Sequence, residues 1–245
     1  QTPRILTYHD LNEEVKKAEI ALRNMGIEKG DRVAGFIPNI PEAVIAMLAT
    51  ASIGALWSSS SPDFGIKGVL DRFAQIEPKV LFAADGYFYN GKRFDSLEKL
   101  EGILKALPSI KNVVIIPYTG EKADIDSIQN GILYDDFLAS ESASEITFEQ
   151  LPFDHPLYIM YSSGTTGLPK SIVHGAGGTL IQHVKELRLH TDLTRDDTIF
   201  YFTTCGWMMW NWLVSSLAVG ATIVLYDGSP FYPNSEAMWK MAQNL

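Results

Sequence analysis

The stretch Arg32-Val-Ala-Gly-Phe-Ile37-Pro38-Asn-Ile-Pro41-Glu42 reads as a strand, a turn and the opening of a helix. Val, Phe and Ile suit an extended segment. Pro38-Asn39 turns the chain, and Pro41 fits the first position of a helix running on through 42–53. Upstream, Leu11, Val15, Ala18, Leu22 and Met25 recur at helical spacing, with Thr7 as N-cap and Gly26 as the stop. Downstream the same rhythm returns: a strand over 55–59, a helix over 66–76, a strand over 80–84, a helix over 96–107 and a strand over 113–116. Helices alternating with short apolar strands predict an α/β fold, its sheets mostly parallel and covered by helices.

Residues 118–153 lose that rhythm and gain Gly, Ser, Asp and Glu, as in Ala139-Ser-Glu-Ser-Ala-Ser-Glu145. The expected organisation is therefore a first α/β unit over 1–150 and the start of a second over 151–245, opening with Leu157-Tyr-Ile-Met160. Residues 198–226 carry no Asp, Glu, Lys or Arg and are long enough to span a bilayer. Gly206, Asn211, Ser215, Ser216 and Gly220 interrupt them, however, and both ends are β-rich, which predicts strand, helix, strand rather than membrane insertion.

The 245 residues are 46% hydrophobic, enough for a packed core. Twenty basic against twenty-nine acidic residues give a net charge of -9, with no basic run to follow a nucleic-acid backbone. The lone Cys205 forms no intramolecular disulfide, and no Cys/His set has zinc-ligand spacing. A cytoplasmic setting and small-molecule partners fit best. The opening Gln1-Thr-Pro-Arg-Ile and the closing Leu245 read as an excerpt of a longer polypeptide.

One loop carries chemistry: Tyr161-Ser-Ser-Gly-Thr-Thr-Gly-Leu-Pro-Lys170. Gly164 and Gly167 let backbone N–H groups approach an anion. The hydroxyls of Ser162, Ser163, Thr165 and Thr166 add donors, and Lys170 supplies positive charge against phosphate. A Walker A loop needs Gly where Pro169 stands and a helix directly after the lysine, whereas Ser171-Ile-Val-His174 is extended in character. A strand-loop-strand polyphosphate grip is expected.

The ordered series resembles the signature loop of adenylate-forming enzymes. Gly30-Asp-Arg-Val-Ala, Pro38-Asn-Ile-Pro-Glu42 and Thr204-Cys-Gly-Trp-Met-Met-Trp-Asn211 resemble the acyl-CoA synthetases among them. Trp57-Ser-Ser-Ser-Ser-Pro-Asp-Phe-Gly65 and Trp207-Met-Met-Trp-Asn211 are similar to the acetoacetate-activating branch of that family. The resemblance implies part of a large N-terminal domain and a reaction using ATP, Mg2+ and CoA, in which acetoacetate becomes an acyl-adenylate and then a thioester. It also implies that the adenine, ribose and catalytic lysine motifs lie beyond Leu245, so this stretch alone is expected to be inactive and to hold no catalytic residue. Ser171 departs from the Gly that many relatives carry after Pro-Lys, which bears on how the loop folds. Alternatives are an acetyl- or medium-chain acyl-CoA synthetase, or a non-catalytic nucleotide-binding module on the same scaffold.

Trp207 and Met208 offer apolar surface for an acyl pocket and Asn211 a polar contact to a keto oxygen; the tryptophans and methionine suit an ordinary core equally well. His174 is not needed as a base because a carboxylate is already ionised. His183 and His190 lack the partners of a metal site. Asp63 is expected to order a turn.

Overall fold

The computed structural model describes residues 3–120, 123–139, 145–162 and 167–245. Helix α1 (Tyr8–Asn24) begins at the predicted cap: Thr7 Oγ1 accepts from Asp10 N–H, and Thr7 N–H donates to the Asp10 carboxylate. Its apolar stripe of Val15, Ala18 and Leu22 is buried, and Gly26 at φ 77° lets the chain leave. The chain then runs through β1 (Arg32–Phe36), α2 (Pro41–Ser52), β2 (Leu56–Ser60), α3 (Ile66–Phe73) and β3 (Val80–Ala84). Next come β4 (Gly86–Tyr89), β5 (Lys92–Asp95), α4 (Leu97–Ala106), β6 (Asn112–Ile116), β7 (Gly131–Leu133) and α5 (Tyr134–Leu138). The remainder is β8 (Pro156–Ser162), β9 (Lys170–Gly175), α6 (Ala176–Lys185), β10 (Thr198–Phe200), α7 (Met208–Ser215), β11 (Thr222–Val224) and α8 (Ala237–Asn244).

Seven strands form one sheet in the order β7-β6-β3-β1-β2-β8-β9, parallel throughout except for the edge pair β8–β9. Alternate residues of each strand serve opposite faces. Val33, Trp57, Phe82, Val114 and Tyr158 pack with α1, α2 and α5 on one side. Ala34, Phe36, Leu81, Ile115 and Ile159 pack with α3 and α4 on the other. Gly35 is required where it is, because a Cβ there would stand 2.8 Å from the indole of Trp57 on the neighbouring strand.

The division at residue 150 does not break this sheet. β8 lies beyond it, pairs Tyr158 with Trp57, and with β9 forms the sheet's last two strands. The acidic and serine-rich link signals a long surface path, but the apolar residues of 156–162 still seek the open edge of β2. A separate small core of Leu187, Leu193, Ile199, Leu213 and Ala221 lies farther along, beside the parallel pair β10–β11. The uncharged stretch 198–226 folds as strand, helix, strand, and no helix among the described residues is long and apolar enough to cross a membrane. Helix α7 joins the two cores, sending Trp210 and Val214 into the first and Leu213 into the second.

Candidate functional site

The expected strand-loop-strand is present: β8 and β9 run antiparallel, and Ser162 stands opposite Lys170 at the loop's base. Ser163, Gly164, Thr165 and Thr166 lie outside the described residues. Gly167 has φ 106°, a conformation that disfavours any side chain even though a Cβ there would meet none of the described residues. Lys170 is exposed.

Directly opposed residues of an antiparallel pair share a face. One face of this hairpin therefore carries Ser162 with Lys170, then Met160 with Ile172, then Tyr158 with His174. Helix α7 lies against it, with Asn211 Nδ2 3.7 Å from the sulfur of Met160. The other face anchors Tyr161: Ser58 donates to its hydroxyl at 3.3 Å, Arg72 stands 5.8 Å from its ring, and burial pushes its pKa up to about 12.

Three segments distant in sequence meet behind the hairpin. Trp210 Nε1 donates to Asn39 Oδ1 at 2.9 Å, Asn39 Nδ2 donates to Thr203 O at 3.4 Å, and Cys205 Sγ contacts Pro38 O at 3.3 Å. Ser59 Oγ donates to Cys205 O at 2.7 Å. The turn after β1, the end of β2 and the approach to α7 thus form one buried unit. Burial holds the Cys205 thiol far above its ordinary value, so it is protonated. Trp57, Tyr158, Met160, Cys205, Gly206 and Asn211 line a crevice here with room for about one water molecule.

A larger cleft of about 670 Å³ opens between α6 and α7, lined by His174, Thr179, His183, Met208, Met209 and Trp212 among others. That volume suits a small ligand. His183 Nδ1 lies 2.8 Å from Ser215 Oγ, which donates to Asn211 O at 2.9 Å. Both contacts are hydrogen bonds when Nδ1 carries the proton. Burial lowers the pKa of His183, with His174 adding to the effect, and burial lowers His174 likewise, so both imidazoles are neutral at pH 7.

The structure separates the three pocket candidates. Met208 is 43% exposed and faces the cleft, whereas Trp207 is 62% exposed and is not among the cleft-lining residues. Asn211 is 4% exposed, lines the narrow crevice instead, and keeps a buried Oδ1 that has no hydrogen-bond partner among the described residues. The core reading applies to Trp210, which is fully buried. His190 is exposed, 3.7 Å from Glu186. Asp63 sits exposed in a turn closed by Phe64 N–H to Ser61 O. Among the described residues no three His, Cys, Asp or Glu side chains gather to hold a metal ion.

Sequence reasoning missed Gln75, whose amide grips Pro169 and Ser171, and Asp227. Asp227 is held by the Phe88 N–H and the Tyr118 hydroxyl, and burial pushes its pKa up to about 6. Neither residue lies in a recognisable motif; only the fold makes them neighbours of the site or of the β4–β5 hairpin.

A mostly parallel sheet that ends in the antiparallel β8–β9 hairpin is the frame on which this site is built. The AMP-binding enzyme family matches residues 1–245, and the chain belongs to that family. Within it, the chain is 55% identical over 245 residues to acetoacetyl-CoA synthetase of Mus musculus, covering 98% of this chain and 36% of that protein. It is 55% identical over 238 residues to acetoacetyl-coenzyme A synthetase of Rhizobium meliloti (strain 1021), covering 97% and 36%. Malonamoyl-CoA synthetase of Penicillium aethiopicum is 48% identical over 233 residues, covering 93% and 32%. The solved structure of acetoacetyl-CoA synthetase from Streptomyces lividans superposes with a TM-score of 0.93 at 47% identity, covering 98% of this chain and 36% of that one. The chain thus spans 36% of the length of the mouse relative it matches.

Proposed function

We propose that the polypeptide carrying these residues is an ATP-dependent acid–CoA ligase converting acetoacetate, ATP and CoA into acetoacetyl-CoA, AMP and pyrophosphate. The supporting observation is the β8–β9 hairpin, which holds Lys170 opposite Ser162 at its loop end and leads along the same face to His174 and the cleft. A polyphosphate at the loop and a short acid farther in then lie along one surface, a positioning that favours reaction between them.

Ser162, Ser163, Gly164, Thr165, Thr166, Gly167 and Lys170 take the β- and γ-phosphates of ATP. The acid's carboxylate oxygen bonds to the α-phosphorus while the bond to the β-phosphate oxygen breaks, and pyrophosphate leaves with the charge that Lys170 offsets. The CoA thiol then attacks the acyl carbon, AMP departs, and the thiol proton passes to solvent or the leaving phosphate. No base is needed for the first step, since the carboxylate is ionised at neutral pH. Met208, with Met209 and Trp212, supplies apolar surface to the acid. Asn211 lines the neighbouring one-water crevice and not this cleft, so its contact to the keto group would run through a single water held there. Mg2+ would accompany the nucleotide and screen its phosphates; the described residues gather no set of their own to hold it. A cytoplasmic setting fits these small-molecule partners and the single buried thiol.

The choice of acetoacetate rests on identity to the named synthetases over nearly the whole chain. The test is acid-dependent ATP–pyrophosphate exchange by the protein at its natural length, across acetoacetate, malonamate, acetate, propionate and butyrate. Acetoacetate should give the highest kcat/KM. A preference for acetate or butyrate would defeat the substrate assignment, and no exchange with any acid would leave a non-catalytic nucleotide-binding module.

A further inference from the structure

The exit of the phosphate loop is held by one side chain. Gln75, just past α3, donates from Nε2 to Pro169 O at 2.8 Å and to Asp71 O at 2.6 Å, while its Oε1 accepts from Ser171 Oγ at 2.9 Å. The two grips fall on either side of Lys170. On the entry side, Arg72 faces the ring of Tyr161 and is itself fixed by donation to Gly68 O at 2.7 Å and by Phe64, 4.6 Å away. The end of α3 therefore meets both strands of the hairpin, and the pairing of Ser162 with Lys170 closes its base.

We infer that Gln75 is a positioning residue for Lys170, and that the Ser171 hydroxyl makes its grip two-sided. With the backbone held before and after it, Lys170 leaves the strand in one direction and reaches a bound phosphate with less ordering to do. A glycine at 171 supplies no hydroxyl, so the departure seen in the sequence has a structural use: it fastens β9 to α3 beside the loop. The inference rests on the phosphate-binding reading of Lys170 for its effect on ATP, but the clamp itself rests on contacts independent of that reading.

The test uses Gln75→Leu, Gln75→Glu, Ser171→Ala and Ser171→Thr in the protein at its natural length. Each is assayed for KM of ATP, KM of the acid and kcat, and for trypsin cleavage after Lys170 followed by mass spectrometry. Gln75→Leu should raise the KM for ATP by about fivefold, the scale of one net hydrogen bond, while kcat and the acid's KM stay within about twofold. Cleavage after Lys170 should quicken. Ser171→Ala, which loses one grip, should move the same way by less; Gln75→Glu, which turns a carboxylate toward the Pro169 and Asp71 carbonyls, should move at least as far as Gln75→Leu, and Ser171→Thr should restore the parent's values. General damage to the fold lowers kcat and leaves both KM values alone, so that pattern overturns the inference, as does unchanged ATP KM and cleavage in Gln75→Leu. Should Gln75→Leu fail to fold, Ser171→Ala decides by the same two readouts. If no acid supports exchange, the ligase reading fails, while the cleavage rates still judge the clamp.

Discussion

The centre and the edge of the seven-stranded sheet are built by the same backbone rules and serve different ends. β1 and β3 are covered on both faces by helices, and almost every residue in them is buried. β9, at the edge, is exposed from Lys170 through Val173; among the described residues Ser171 is tied by its side chain to Gln75, and His174 packs against Tyr158. The centre cannot admit a ligand without loss of packing. The edge is held in position by that centre, and its exposed groups remain free to meet one.

Substitutions should separate the two. Trp57→Ala empties a fully buried site beside Gly35 of β1 and Phe82 of β3 and should cost roughly 3–5 kcal/mol in a urea melt. A cost under about 1 kcal/mol would show that the sheet's centre collapses around the loss, and that the contrast is overstated. At the edge, Lys170→Met should lower kcat/KM for ATP by about 100-fold while the melting temperature moves by no more than about 2 °C. A large fall in melting temperature would make Lys170 a structural residue and remove the distinction.

Between these extremes lies the link from the sheet to α7. Trp210→Phe keeps an aromatic but smaller ring and strands Asn39 Oδ1 in a buried place; the lost hydrogen bond alone should cost about 1–3 kcal/mol in the same urea melt. If the companion variant Asn39→Ala made Trp210→Phe no worse, the hydrogen bond would be confirmed as the coupling between the two.

The smallest effects are in pH dependence, and their signs oppose. The folded state depresses His183 below its ordinary 6.5, so its contribution is present above that value and is lost as pH falls through the folded pKa. Asp227 is raised from 3.8 to about 6, so its contribution is full below 3.8 and is lost as pH rises through about 6. His183→Gln should therefore flatten the acid side of a melting-temperature profile, and Asp227→Asn should raise the melting temperature more at pH 7.5 than at pH 5. A parallel shift of the profile in either variant would remove titration as the cause.

Much of the fold was legible because its signals are local. Thr7 with Asp10 caps α1, Pro41 opens α2, and β-rich runs mark each central strand, so period and punctuation suffice. The β4–β5 hairpin, β7 and α5 went unread: they are short, and their positions depend on neighbours such as β6, which Val113 to Ile115 offer to Gly131 to Leu133. In the site, the loop from Ser162 to Lys170 was legible as an ordered series of residue types. The roles of Trp207, Met208 and Trp210 were not, because helix spacing cannot say which face meets a core and which a cleft.

The sequence by itself determined the alternation of strands and helices and the strand, rather than a Walker helix, that follows Pro169-Lys170, since each depends on residues near one another along the chain. Only the tertiary structure decided that β8 and β9 extend the first sheet, that Gln75 brackets Lys170, and that Asn39, Ser59, Cys205 and Trp210 form one buried unit. The reason is physical: hydrogen bonds and packing between segments 94 to 171 residues apart are settled when the sheet closes its open edge, and no local preference records which partners will then be adjacent.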